Sequence, residues 1–334
     1  MAGQGFESVI GHEDIIRHFQ KALETEKISH AYILSGDKGS GKKLLAGLFA
    51  AALECEKGGS EPCCECLSCR KVMNRTHPDV IYVEHEKPNL ITVDEVRRQI
   101  VSSSQMKPYE GKRKVYILPD AEKMNAQAQN AILKTIEEPP EYAVFLILTQ
   151  SVDALLPTIV SRCVVLNLRP LPDRMVADYL MKEFGTERYQ AEVAAAFAQG
   201  NIGRARDIVR DDDYMVMTQN VIRLLRRIGE LPITEMVDYV REISEKKQNI
   251  SDYLEILTLW FRDVLMYKAT KEIDNLVFKK EMKDIREQAV TCSYPGIEEI
   301  LQSIERAGAR LRANVTFELT MELLLLSIRE NMNG

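Results

Sequence analysis

One junction limits what this chain can fold into. The apolar stretch "HAYILSG" runs straight into the glycine-rich turn of "SGDKGSGKKLLAGLFA", and that turn runs into an apolar helix. Gly36, Gly41 and Lys42 fit the G-x-x-x-x-G-K portion of a phosphate-binding loop, with Gly39 inside it. A strand, turn and helix in this order aims backbone N–H groups at phosphate oxygens, and the lysine neutralises them. The next position departs from the pattern. Where Ser or Thr would offer a hydroxyl to Mg²⁺, Lys43 offers an ammonium, a cation with no lone pair for another cation.

The rest of the N-terminal half alternates in the same way. "DVIYVE", "KVYILPD", "AVFLILT" and the apolar stretch after Cys163 read as strands. Residues 12–26 read as a helix, as does "TVDEVRRQIVSSSQ", opened by a capping box at Thr92 and Glu95. "AQAQNAILKTIEE" is a helix stopped by Pro139 and Pro140. Alternation of this kind predicts an α/β fold, a parallel sheet with helices on both faces. Beyond about residue 171 the strand signal fades. Residues 171–210 read as a compact helical unit, "RDDDY" as a charged connector, and residues 214–334 as all-helical.

The chain's 334 residues exceed one ordinary core. Its net charge of −6, from 44 basic and 50 acidic residues, argues against bulk electrostatic wrapping by nucleic acid. The basic run Lys107, Lys112, Arg113 and Lys114, near Tyr109, is most simply a solvated loop. No apolar run reaches the roughly 20 residues that span a bilayer, and the first residues lack a secretory leader pattern. A reducing cytoplasmic location is expected.

A metal-dependent phosphate site also needs an apolar strand ending in Asp-Glu, for the metal and the attacking water. Here "VYIL" ends in Pro119-Asp120. Proline takes the metal-ligand place and Asp120 the place of the base; sliding by one puts Ala121 there instead. With Lys43, two separate parts of the magnesium machinery are missing, and hydrolysis at this loop is not expected.

Five of the seven cysteines fall between Cys55 and Cys69. C-x-x-C-x-x-C over Cys63, Cys66 and Cys69 lets neighbouring thiolates converge, and Cys55 supplies a fourth ligand for tetrahedral Zn²⁺. Four thiolates leave no open position, so the site would be structural. An iron–sulfur cluster is the lesser rival, and Cys64 is an alternative to Cys63. Ser161-Arg162-Cys163 precedes an apolar strand. From this segment alone, Arg162 is most simply the partner of an acid in its own domain; the other reading is an arginine finger directed at a neighbour's γ-phosphate.

Taken in order, "SHAYILSG", the glycine loop, the cysteine insertion, "HPDV", "KPYEGKRKVYIL", "NAILKTIEEPP", "FLILT" and "SRC" closely resemble the δ′ (delta prime) family of bacterial DNA polymerase III clamp-loader subunits. The resemblance is dense from about residue 5 to 210. It implies an AAA+ P-loop-like domain at 1–168 with a zinc-binding insertion at 55–69, a small helical lid at 169–210, and an all-helical collar at 211–334. It implies a non-hydrolysing stator that helps load the sliding clamp on primed DNA, in a five-membered ring with motor (τ/γ) and δ subunits. Arg162 would be the finger acting in trans, and Cys55, Cys63, Cys66 and Cys69 the zinc ligands. Thr149 matches the γ-phosphate-sensing position. Gly203, in "GNIGRAR", stands where motor subunits carry a second sensing arginine, with Arg204 one residue off. The degenerate loop of Gly36, Gly39, Gly41 and Lys42 would hold ATP or ADP weakly or not at all. The alternatives are an ATP-hydrolysing motor subunit of the same assembly and a stand-alone zinc-stabilised DNA-binding module.

Overall fold

A computed structural model describes residues 5–244 and 250–332. Five strands form one parallel sheet: β1 (Ala31–Ser35), β2 (Val80–Tyr82), β3 (Lys114–Leu118), β4 (Ala143–Thr149) and β5 (Val164–Asn167). Their spatial order is β2-β3-β4-β1-β5, with β1 between β4 and β5. This is the α/β architecture that alternation alone predicts.

The near-continuous apolar runs of the strands have a direct cause: both faces are covered. Tyr32 and Leu34 of β1, Val115 and Ile117 of β3, and Val144, Leu146 and Leu148 of β4 pack into one core layer. Their alternates, Ala31, Ile33, Tyr116, Leu118, Phe145 and Ile147, fill the opposite layer. The first layer receives α1 (Glu13–Glu24), α2 (Lys42–Leu53) and α3 (Leu67–Met73), with Phe19 stacked on Phe49 at 4.0 Å. The second receives α4 (Val93–Val96), α5 (Ala126–Glu137) and α6 (Pro157–Val160).

The Thr92–Glu95 capping box forms as expected. Its helix does not continue regularly: a π-helical turn, Arg97–Val101, intervenes before Ser102–Ser104. Local residue pattern carries no signal for that extra residue per turn.

Contacts divide the chain into two compact units. One comprises residues up to Met175 together with Asn201–Gly203; the other comprises Val176–Gly200 and the residues from Arg204 onward. The second is helical throughout its described residues: α7 (Asp173–Phe184, shared at its start with the first unit), α8 (Arg188–Ala198), α9 (Ile202–Arg210) and α10 (Asp212–Arg227). α11 (Ile233–Ser244), α12 (Ile250–Thr270), α13 (Met282–Thr291), α14 (Tyr294–Arg312) and α15 (Phe317–Met332) follow. "RDDDY" is not a connector as expected. Asp211 accepts the Asp213 N–H as an N-cap, and α10 begins at once; acids that look like linker composition are here first-turn residues, which the helix dipole favours. Buried Trp260 donates to Gln288 Oε1 at 2.7 Å, and Gln288 donates in turn to the Leu225 carbonyl at 2.9 Å. Among the described residues no helix is long and apolar enough to cross a membrane.

Candidate functional site

The glycine loop leaves the carboxyl end of β1, where parallel α/β sheets bind ligands. Its backbone is held by packing. Gly36 has φ 156° and donates to the Thr149 carbonyl at 3.1 Å; a Cβ there would meet the Leu168 carbonyl at 2.9 Å. Gly41, with φ 102°, stands at the N-cap of α2.

The loop's side chains engage groups of the protein itself. Lys42 donates to the carbonyls of Gly36 and Asp37, the latter at 2.8 Å. Burial lowers its pKa, against the raising influence of Glu122, Asp37 and Asp120. Lys43 places its ammonium 3.9 Å from Asp120 Oδ2, so a side-chain cation stands beside the acid that follows β3. Lys123 and His85 also approach Asp120, at 3.7 and 3.9 Å. Pro119 contributes no oxygen from its side chain. Lys43, His85, Pro119 and Asp120 help line a cavity of about 300 Å³.

The loop is also covered by residues 201–203. Gly203 donates to the Gly39 carbonyl at 3.0 Å, and the Asn201 amide donates to the Lys38 carbonyl at 2.7 Å. A Cβ on Gly203 would lie 2.6 Å from Gly39 Cα, so glycine is required on contact grounds. Arg204 pairs with Glu255 and, at 3.6 Å, with Asp252, inside the helical unit. Thr149, fully buried, turns its hydroxyl onto the Ser151 carbonyl at 2.8 Å.

The other candidate residues lie toward the opposite edge of the sheet. α2 runs back from the loop and ends at Leu53, which brings Cys55 to that edge. Gly58 and Gly59, with φ of 66° and 104°, help turn the chain toward Cys63. Cys66 caps α3, whose buried Cys69 completes the set. One sulfur from each of Cys55, Cys63, Cys66 and Cys69 lies within 4.8 Å of the others, and Cys63 and Cys69 are 4.0 Å apart. A zinc–sulfur bond of about 2.3 Å in a tetrahedron puts sulfurs about 3.8 Å apart, so this donor set fits. The N–H groups of Cys66 and Cys69 point at the sulfurs of Cys63 and Cys66, both at 3.4 Å. Backbone N–H groups, Glu65's foremost, pull the Cys63 thiol down to about 6, toward the thiolate a metal needs. Cys64 directs its sulfur to the Pro62 carbonyl, 3.6 Å away.

Arg162 sits just before β5 begins. It pairs with Glu137 at 3.0 Å and donates to the Thr158 carbonyl at 2.9 Å and Ser161 Oγ at 3.2 Å. The basic run Lys107–Lys114 begins on a loop anchored by buried Asp79, which accepts from the N–H groups of Tyr109, Glu110 and Gly111 at 2.6 to 2.8 Å. The contacts of Asn201, Glu137 and Asp79 were not legible in the sequence. Their contacts join residues far apart in sequence, and only Glu137 carried a local clue, an acid at the end of a helix.

A family model described as "DNA polymerase III, delta subunit" matches residues 11–172. DNA polymerase III subunit delta′ of Bacillus subtilis (strain 168) is 28% identical over 320 residues, 95% of this chain and 95% of the relative. Subunit delta′ of Pseudomonas aeruginosa is 33% identical over 264 residues, 74% of this chain and 75% of the relative. Subunit gamma of Buchnera aphidicola subsp. Acyrthosiphon pisum is 32% identical, covering 73% of this chain and 70% of the relative. Matches that extend well beyond the loop thus support what the motif order implied: the chain belongs to the DNA polymerase III clamp-loader subunit family, with delta′ subunits among its relatives.

Proposed function

We propose that this chain is the non-hydrolysing, δ′-type member of its clamp loader, and that it supplies Arg162 to ATP held by a neighbouring motor subunit. The observation that carries the reading is the Lys43 ammonium 3.9 Å from Asp120. A divalent ion here would meet a cation where it needs oxygen donors. The contact of Gly203 on Gly39 supports the same conclusion, since a sensing arginine there would have to displace loop backbone.

In this reading the domain keeps its AAA+ shape so that it can occupy a place in a ring with τ/γ and δ subunits. The sheet domain, the lid at 169–210 and the collar at 211–334 would act as separate parts of that assembly, which places the sliding clamp on primed DNA. Cys55, Cys63, Cys66 and Cys69 would hold a structural Zn²⁺; it would brace the end of α2 and take no part in phosphate chemistry. Similarity to subunit gamma keeps a motor role as the second reading. It requires magnesium-dependent turnover at this chain's own loop.

The test is Arg162→Ala in the reconstituted complex. An arginine finger is worth roughly 10³-fold or more at the site it serves, so ATP turnover should fall strongly while the variant folds and assembles normally. Unchanged turnover contradicts the finger role. Magnesium-dependent turnover by the purified chain alone contradicts the non-hydrolysing role.

A further inference from the structure

Resting on the reading of Arg162 as a finger, we infer that Glu137 is its resting partner, a carboxylate that holds the guanidinium on its own domain until a neighbour's phosphate displaces it. The Arg162 Nη2 group donates to Glu137 Oε1 at 3.0 Å, while Nη1 donates to the Thr158 carbonyl and to Ser161 Oγ. Three acceptors from the same domain therefore define where the group rests.

Both side chains remain reachable, with exposures of 38% and 43%. An ion pair this open to water shifts an equilibrium by about fivefold at most. A triphosphate offers more charge and a geometry that matches the guanidinium fork. The exchange of partners is thus downhill, and its cost appears as a small handicap on ATP engagement.

Helix stability does not account for the acid. Glu137 is the last residue of α5, followed by Glu138 and the two prolines that stop the helix. A carboxylate in the final turn opposes the helix dipole. Arg162 is the cation that compensates it. A resting partner also narrows the side chain's rotamers and neutralises it while no nucleotide is present.

The experiment uses the reconstituted complex and ATP itself. Glu137→Gln keeps the shape and removes the charge. The ATP concentration for half-maximal turnover should fall roughly two- to fivefold, with kcat changed less than about twofold and the melting temperature of the isolated chain unchanged. Glu137→Asp should restore part of the wild-type value. Adding Glu137→Gln to Arg162→Ala should change nothing further. A raised half-maximal concentration or a lowered kcat would overturn the inference, because Glu137 would then be presenting the finger to the nucleotide. No change in either constant would overturn it too. If Arg162→Ala alone has no effect, the finger reading fails first, so the two failures are told apart.

Discussion

At the carboxyl edge of the sheet the glycine loop keeps its backbone, yet in the proposed reading Lys43, Pro119 and Gly203 stand where a metal-dependent site needs a hydroxyl, a carboxylate and an arginine. At the amino edge, Arg162 with Glu137 and the four converging thiols keep their donors and their geometry. The difference shows what maintains each. The loop's shape is part of the fold: Gly36 is pressed against Leu168 and Gly39 against Gly203, contacts that need no nucleotide. Metal-dependent phosphate chemistry would rest on single side chains, which can differ while that packing stays. The amino-edge groups depend on side-chain chemistry directly, and there the four sulfurs lie within 4.8 Å of one another and Arg162 meets Glu137 at 3.0 Å.

The largest effect that would sharpen this contrast lies at the cysteines. Cys66→Ser should lose bound metal and destabilise the sheet unit by several kcal/mol, because metal binding at such sites is folding free energy. Metal analysis should find about one zinc per wild-type chain. An unchanged denaturation midpoint, or iron in place of zinc, would break the account of that edge.

Gly203→Ala addresses the sealed loop. Its Cβ would lie 2.6 Å from Gly39 Cα and 2.8 Å from the Gly39 carbonyl, backbone atoms that cannot swing aside. Overpacking of this kind costs about 1–3 kcal/mol, readable as a lower urea midpoint. If alanine is tolerated without loss, the loop and residues 201–203 are not locked together.

The smallest effect tests a polar feature that the carboxyl edge has kept. Glu95 closes the capping box, and bonds from the Thr92 N–H first, then from the Glu86 N–H and the Thr92 hydroxyl, hold its pKa at about 2. Since this lies below the ordinary value of 4.5, the stabilisation is present above pH 4.5 and lost as pH falls toward 2. Glu95→Gln should therefore cost on the order of 1 kcal/mol at pH 7, with the gap closing across that acid window. A gap independent of pH would show that charge plays no part.

The strands, the capping box, the proline stop after α5 and the cysteine set were readable because each rests on local pattern: apolar periodicity, a four-residue spacing, thiols close in sequence. The residues that decide how the site behaves were less readable. Asn201 reaches Lys38 across 163 positions, and Gly203 earns its identity only by touching Gly39. Arg162 shows both sides of the problem. Its segment alone suggested a partner within its own domain, and Glu137 is that partner; its expected role toward a neighbour came from motif order. The two readings are compatible if the pair is a resting state.

The central claim is that this subunit lends chemistry from one edge while performing none at the other. The most direct measurement compares Lys42→Ala with Arg162→Ala in the reconstituted clamp loader, scoring ATP turnover at saturating ATP. The account predicts turnover near wild type for Lys42→Ala and a strong loss for Arg162→Ala. A strong loss for Lys42→Ala with near-normal turnover for Arg162→Ala would contradict it.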